Sequence, residues 1–158
     1  APFKWTVLKK PQVWGGILGF LALGSALTHY AYPDEAKIHT QSASTSVPSI
    51  VALPVGLGEE AFFRGYLQSA LSEALNPTAG TILSSIIFAA AHQANAQGFP
   101  SAERWRYYAF SMPFIAAVGA YCGWMTHTTH SLQQSVALHT WYDFILFSVG
   151  ALADNAMI

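Results

Sequence analysis

Three charged side chains, Glu59, Glu60 and Arg64, lie inside a segment that is otherwise apolar. Residues 47–57 before them carry no charge, and residues 61–63 continue the apolar character. A helix of about 20 mostly apolar residues is long enough to cross a bilayer. An ionisable group at that depth is costly unless it faces a polar cavity. The segment therefore predicts a helix of a membrane bundle whose charges face a polar cavity in the bundle core.

The composition of the whole chain agrees with a location in a membrane. Of its 158 residues, 53% are hydrophobic and 9% are charged, whereas an ordinary soluble domain carries about 25% charged residues. A net charge of −1 argues against a nucleic-acid partner. The single cysteine, Cys122, lies in an apolar run and supports neither an intrachain disulfide nor a thiolate metal site. We expect an integral, multi-pass membrane protein, in the plasma or inner membrane if the source is bacterial.

Apolar segments separated by polar ones predict an all-α fold, a polytopic transmembrane bundle of about five helices. The helices are predicted at residues 12–32, 50–75, 78–94, 107–126 and 132–152, with polar loops at 39–49 and 96–106. Pro54, Gly56 and Gly58 predict a break or bend in the second helix, which is tolerated at membrane depth where a helix lines a cavity.

We expect a single membrane domain over residues 1–158. Residues 1–45 would hold the first transmembrane helix and a polar loop, and residues 46–152 the catalytic core. Lys4, Lys9 and Lys10 precede the first helix and place the N-terminus in the cytoplasm by the positive-inside rule. Arg104 and Arg106 would lie on the opposite side if all five helices cross, which argues against that orientation.

Helical spacing separates the two glutamates. Glu60 and Arg64 are four residues apart, so they share a helix face and can pair. Glu59 is rotated by about 100° from Glu60 and is left for another partner. A glutamate in an apolar pocket suits general acid or base work. The alternative is that all three side chains form a buried structural ion network.

Two later apolar segments each carry a histidine. His92 follows Phe88 by four residues, so the phenyl ring can pack over the imidazole and hold its rotamer. His139 and Asp143 are also four apart and could form a pair that fixes the imidazole tautomer, or a structural polar clamp between helices. His29, His39, His127 and His130 lie at or beyond helix ends, and we assign them no chemistry.

These residues, in this order, resemble the motifs of the CPBP family, which comprises type II CAAX prenyl endopeptidases and bacteriocin-processing or Abi-type membrane proteins. The family pattern is EExxxR, FxxxH and HxxxN/D on successive helices. Here it reads Glu59-Glu60-Ala-Phe-Phe-Arg64, Phe88-Ala-Ala-Ala-His92 and His139-Thr-Trp-Tyr-Asp143. The resemblance covers about residues 46–152.

The resemblance implies an intramembrane endopeptidase that hydrolyses a peptide bond of a membrane-associated, prenylated or leader-bearing substrate. Its catalytic residues would be Glu59 and His92, which hold and activate the attacking water, and His139 and Asp143, which stabilise the oxyanion. Asp143 departs from the Asn of members close to the eukaryotic CAAX enzyme. Because an ionised carboxylate cannot donate a hydrogen bond, Asp143 would instead orient His139. Glu60, Arg64 and Phe88 would support this site structurally.

Three alternatives accompany this interpretation. Glu59, His92 and His139 could make a three-ligand zinc site with an open water position, although we favour a mechanism that requires no cofactor. His92 and His139 could be axial ligands of a haem, but this leaves Glu59, Glu60 and Arg64 unexplained. The chain could also be a non-proteolytic membrane protein of the same fold, an immunity-type or assembly subunit. The expected partners are the lipid bilayer, a peptide or protein substrate and other membrane subunits, with no nucleic acid.

Overall fold

The computed structural model describes residues 4–32 and 48–155, and these residues fold into helices without any strand. The predicted all-α class is therefore confirmed. We name the helices α1 to α6. They are α1 at Trp5–Leu8, α2 at Pro11–Ala31, α3 at 52–74, α4 at Pro77–Ala91, α5 at Arg104–Thr129 and α6 at Gln133–Asn155. Most of the predicted loop at 39–49 lies outside the described residues.

The ends of α2 and α4 follow from local sequence. Pro11 is in the first turn of α2, where its missing N–H costs nothing. Tyr32, which ends α2, has extended backbone angles (φ −115°, ψ 132°) because it precedes a proline, which disfavours the helical conformation. At the start of α4, the side chain of Asn76 accepts a hydrogen bond from the backbone N–H of Ala79 at 2.9 Å, and Pro77 follows.

Helix α3 is continuous through Pro54, Gly56 and Gly58, so the predicted break at these residues is wrong. Pro54 lies in the first turn, preceded by a 3₁₀ turn at Ser49–Val51, and therefore does not interrupt an established helix. The irregularity of α3 occurs later. An α-helical part at Ala52–Glu60 changes to a π-helix at Ala61–Leu67 and then returns to α-helix at Gln68–Ala74. Such π segments are rare in proteins overall, and those that occur are often found at functional sites.

Helix α6 is the central element, since it packs against α2, α3 and α5, while α4 packs against α3 and α5. A buried cluster joins α1, α2, α5 and α6, with Val13, Ile17, Met125 and Leu138 fully enclosed. All residues from 135 to 140 in α6 are buried, and they include His139.

Two of the helices are long and apolar enough to cross a membrane, namely α2 with 21 residues and α5 with 26. The predicted multi-pass organisation and the predicted orientation stay predictions. Large apolar side chains such as Leu18, Phe62 and Ile86 are exposed on the outside of the helices, where a bilayer would cover them.

Candidate active site

The two glutamates of α3 have opposite environments at the point where the π-helix begins. The Glu59 side chain is 30% exposed, whereas Glu60 is completely buried. The predicted pairing of Glu60 with Arg64 is observed, with Oε1 of Glu60 at 3.3 Å from Nη1 of Arg64. The guanidinium of Arg64 also lies over the ring of Phe88, 4.3 Å from its centroid, a distance typical of a cation–π contact. The guanidinium also lies 5.8 Å from the centroid of Phe63, so Arg64 contacts one carboxylate and two aromatic rings.

His139 contacts more carboxylates than the sequence predicts. Its Nδ1 lies 2.8 Å from Oε1 of Glu60, so Nδ1–H donates to a carboxylate oxygen that already faces Arg64. Its Nε2 lies 3.4 Å from Oδ2 of Asp143 and 3.7 Å from Oε2 of Glu59. The predicted neighbour Asp143 is present, but Glu60 on another helix is the closer partner. Sequence reasoning placed Glu60 only with Arg64 and missed this bond.

His92 does not lie within a helix, as predicted for residues 78–94, but at the C-terminal end of α4. Its backbone angles (φ −88°, ψ 2°) end the α-helix, and a 3₁₀ helix follows at Gln93–Gly98. Nδ1 of His92 lies 2.8 Å from the carbonyl oxygen of Phe88. Since a carbonyl only accepts, Nδ1 carries a proton, and the tautomer that remains when the ring is neutral has its lone pair on Nε2. The predicted ring contact with Phe88 is observed, at 4.7 Å between centroids.

Both histidines converge on Glu59. Oε2 of Glu59 lies 3.8 Å from Nε2 of His92 and 3.7 Å from Nε2 of His139. The structure therefore brings the three motifs, from α3, the end of α4 and α6, to one place. Within the described part of the chain, Oε2 of Glu59 is buried and has no hydrogen-bond partner, so it is available to a bound molecule.

The zinc alternative required Glu59, His92 and His139 to converge as ligands. Within residues 4–32 and 48–155, no group of three or more His, Cys, Asp or Glu side chains is arranged to hold a metal ion. The Nε2 atoms face the carboxylate oxygen of Glu59 at distances slightly beyond a direct hydrogen bond. A polar contact of that length is typical of groups that share a water molecule.

Glycines allow the helices to approach closely enough to build this site. A Cβ on Gly56 of α3 would collide with Thr140 of α6, whose backbone N would lie only 3.0 Å away. A Cβ on Gly119 of α5 would lie 2.9 Å from Nη2 of Arg64 and 3.1 Å from the ring of Phe88. Both contacts are tighter than side chains normally make. Gly56 therefore sets the separation of Glu60 from His139, and Gly119 leaves room for the Arg64–Phe88 contact.

The fold and the site together define an all-helical membrane protein with a glutamate–histidine centre in its interior. A family model described as type II CAAX prenyl endopeptidase Rce1-like matches residues 42–145, and the chain belongs to this family of membrane-embedded proteases. The matched range contains every candidate site residue from Glu59 to Asp143. Comparison with curated proteins and with solved structures gave no match.

Proposed function

We propose that this chain is an intramembrane endopeptidase in which Glu59 and His92 activate a water molecule for attack on a peptide bond. The observation that carries the proposal is the position of Oε2 of Glu59, within 4 Å of Nε2 of both histidines and without a hydrogen-bond partner among the described residues. A water molecule about 2.8 Å from Oε2 of Glu59 and from Nε2 of His92 would bridge these two atoms.

Glu59 and His92 would orient this water through its two hydrogens. One O–H donates to Oε2 of Glu59 and the other to the lone pair of Nε2 of His92, which leaves an oxygen lone pair directed at the substrate carbonyl carbon. Attack forms the new C–O bond while the water proton passes to Glu59. Glu59 then gives the proton to the leaving nitrogen as the C–N bond breaks, so one carboxylate acts as base and then as acid.

His139 would stabilise the negative charge that develops on the substrate oxygen. Both of its ring nitrogens face carboxylate oxygens, at 2.8 Å for Nδ1 and at 3.4 Å and 3.7 Å for Nε2. Ionised carboxylates only accept hydrogen bonds, so this environment favours the imidazolium form, which donates from both nitrogens. A preorganised cationic donor of this kind stabilises an oxyanion most effectively where water is excluded. Asp143 would share the Nε2–H donor with the oxyanion and so limit the rotation of the imidazole.

The burial of Glu60 and Arg64 supports a structural role for this pair in the site. Glu60 fixes Nδ1 of His139 on one side and pairs with Arg64 on the other, so the imidazole cannot rotate without breaking a buried contact. Phe88 packs on His92, on His139 and on Arg64. One ring therefore holds all three side chains in position relative to one another.

Proteolysis is tested with a substrate chosen from the family description. The purified protein in lipid nanodiscs is incubated with a farnesylated peptide ending in a CAAX sequence and with the same peptide lacking the farnesyl group. We expect cleavage of the prenylated peptide by the wild type. Glu59→Gln keeps the size of the side chain but removes the base, and should lower kcat by about 10²–10⁴-fold. Glu73→Gln, an exposed glutamate on the same helix, is the matched control and should retain activity.

The outcomes separate the alternatives. Full activity of Glu59→Gln would refute the glutamate mechanism, and loss of activity on chelation with recovery on addition of zinc would favour the metal site. Equal cleavage of both peptides would indicate a membrane peptidase that does not read the prenyl group. Absence of cleavage of either peptide by folded wild-type protein, repeated with leader-bearing membrane peptides, would favour the non-proteolytic alternative.

A further inference from the structure

The backbone carbonyl of His92 accepts a hydrogen bond from a side chain of a different helix. The hydroxyl of Tyr107 donates to it at 2.8 Å. His92 stands at the end of α4, and its carbonyl also accepts the backbone N–H of Asn95 at 3.0 Å. Tyr107 is buried and begins the π-helical part of α5, Tyr107–Ser111. The bond therefore ties the end of α4 to the start of α5 at the residue that carries the imidazole.

The direction of the His92 imidazole depends on this stretch of backbone. Nδ1 is bonded to the carbonyl of Phe88 in the preceding turn, which fixes the ring relative to α4. The backbone of His92 itself has left the α-helix and leads into a 3₁₀ helix. Its N–H donates to the carbonyl of Ala89 and its carbonyl accepts from the N–H of Asn95, each at 3.0 Å, so short-range bonds replace the α-helical pattern here. The Tyr107 hydroxyl supplies a constraint from outside at the point where the helical constraint ends.

Tyr107 is itself held rigidly by an aromatic cluster. Its ring centroid lies 5.7 Å from that of Phe99, and Phe99 stacks on Tyr32 at 5.4 Å. The hydroxyl of Tyr32 lies 2.6 Å from that of Ser111, one turn after Tyr107. The cluster joins the end of α2, the segment after the 3₁₀ helix and the start of α5. A phenol packed in this buried cluster is a well-placed donor.

We propose that Tyr107 is a positioning residue that aligns His92 with Glu59 through the His92 carbonyl. The effect of this alignment on catalysis rests on the proposed function. The hydroxyl does not reach the reacting atoms. It acts by fixing the backbone from which the imidazole projects, so that Nε2 stays directed at the water shared with Glu59. Misplacement of a catalytic group by about 1 Å can cost about 10²-fold in rate.

Tyr107→Phe tests the proposal, because it keeps the ring and its packing and removes only the donor. Tyr108→Phe makes the same chemical change one residue later, on a side chain that is 50% exposed, and is the matched control. With the prenylated peptide, we expect Tyr107→Phe to lower kcat by about 10-fold to 10²-fold while KM stays unchanged, and Tyr108→Phe to leave both unchanged. Incorporation of para-aminophenylalanine at position 107, which restores a donor, should recover most of kcat.

A second measurement needs no substrate and separates this proposal from the proposed function. In protein labelled with ¹⁵N-histidine, the His92 ring resonances, assigned with a His92→Gln variant, should change in Tyr107→Phe and stay unchanged in Tyr108→Phe. If the wild type cleaves nothing, the proposed function fails, and these resonances alone decide the role of Tyr107. Unchanged His92 resonances in folded Tyr107→Phe, or unchanged kcat, would overturn the positioning role. If Tyr107→Phe does not fold, the para-aminophenylalanine variant is compared with para-methylphenylalanine at the same position. Equal kcat and equal His92 resonances in these two variants would overturn the positioning role of Tyr107.

Discussion

The site has an accessible half, Glu59 and His92, and a buried half, Glu60, Arg64 and His139. Side chains of the accessible half are 30% and 24% exposed, whereas Glu60 and Arg64 are fully enclosed. Two adjacent glutamates thus belong to different environments because consecutive residues of a helix point about 100° apart. One is partly exposed and exchanges a proton in the proposed function, while the other is fully buried between Arg64 and His139.

The two histidines differ in the same way. His92 bonds a neutral backbone carbonyl, and its Nε2 keeps a lone pair. His139 lies in the middle of a helix between carboxylates, and both of its nitrogens have acceptors nearby. The comparison teaches that the chemical role of each imidazole is determined by the acceptors around it. Nε2 of His92 is placed to accept a hydrogen bond, whereas Nε2 of His139 is placed to donate one, although both residues are histidines.

The largest expected effect is on the stability of the fold, and it distinguishes the buried half of the site from the accessible half. Arg64→Ala leaves buried Glu60 with its bond to His139 but without the guanidinium. Removal of one partner of a buried pair costs about 3–5 kcal/mol. We expect little folded protein to be recovered from membranes, with a lowered unfolding temperature for what remains. Glu59→Gln should fold as the wild type does, since Glu59 is partly exposed. Normal yield and unfolding temperature for Arg64→Ala would show that the buried half does not hold the fold.

A smaller effect tests the spacing between the halves. Gly56→Ala forces a methyl group against Thr140, next to His139, and overpacking of this kind costs about 1–3 kcal/mol. It should also lower activity, because α3 and α6 must move apart to make room for the methyl group, which moves Glu60 away from His139. Gly58→Ala is the matched control, since a Cβ there meets nothing within 4 Å. It should be neutral, or stabilising by up to about 1 kcal/mol from helix propensity. Thermal unfolding and peptide cleavage of the two variants measure the difference, and equal behaviour would refute the close-contact argument.

The smallest effect is expected at Asp143. In Asp143→Asn the amide oxygen can still accept from Nε2–H of His139, and Glu60 still holds Nδ1. We therefore expect the variant to retain substantial kcat, measured with the same peptide at several pH values. A loss comparable to that of Glu59→Gln would mean that the Asp143 carboxylate takes part in the reaction and does more than orient His139.

The pairing of Glu60 with Arg64 and the contact of Phe88 with His92 were predictable because residues four apart share a helix face. The structure brings the three motifs together, which agrees with the cost of burying each ionisable group separately. Proteolytic roles for Glu59, His92, His139 and Asp143 stay predictions. Local sequence patterns predicted the contacts between residues of the same helix.

Contacts between helices were not predictable in the same way. The bond between Glu60 and His139 depends on how closely α3 approaches α6, which Gly56 permits. That glycine was misread as a helix breaker, although its position four residues before Glu60 places it on the same face. The end of α4 at Ala91 also has no local signal, since residues 92–97 contain neither Gly nor Pro. The bond from Tyr107, which lies 15 residues later, depends on the same tertiary arrangement.

The π-helix of α3 has a consequence for the angular register of the helix. Ala52, Gly56, Glu60, Arg64 and Gln68 recur at intervals of four, and all five are buried. In an uninterrupted α-helix each interval would rotate the side chain by about 40° beyond a full turn, so the last residue would point about 160° away from the first. The wider i→i+5 winding of residues 61–67 counteracts this drift. If residues 61–67 wound as an α-helix without loss of a residue, Gln68 would turn away from the carbonyl of Gly123 that it now contacts at 3.0 Å.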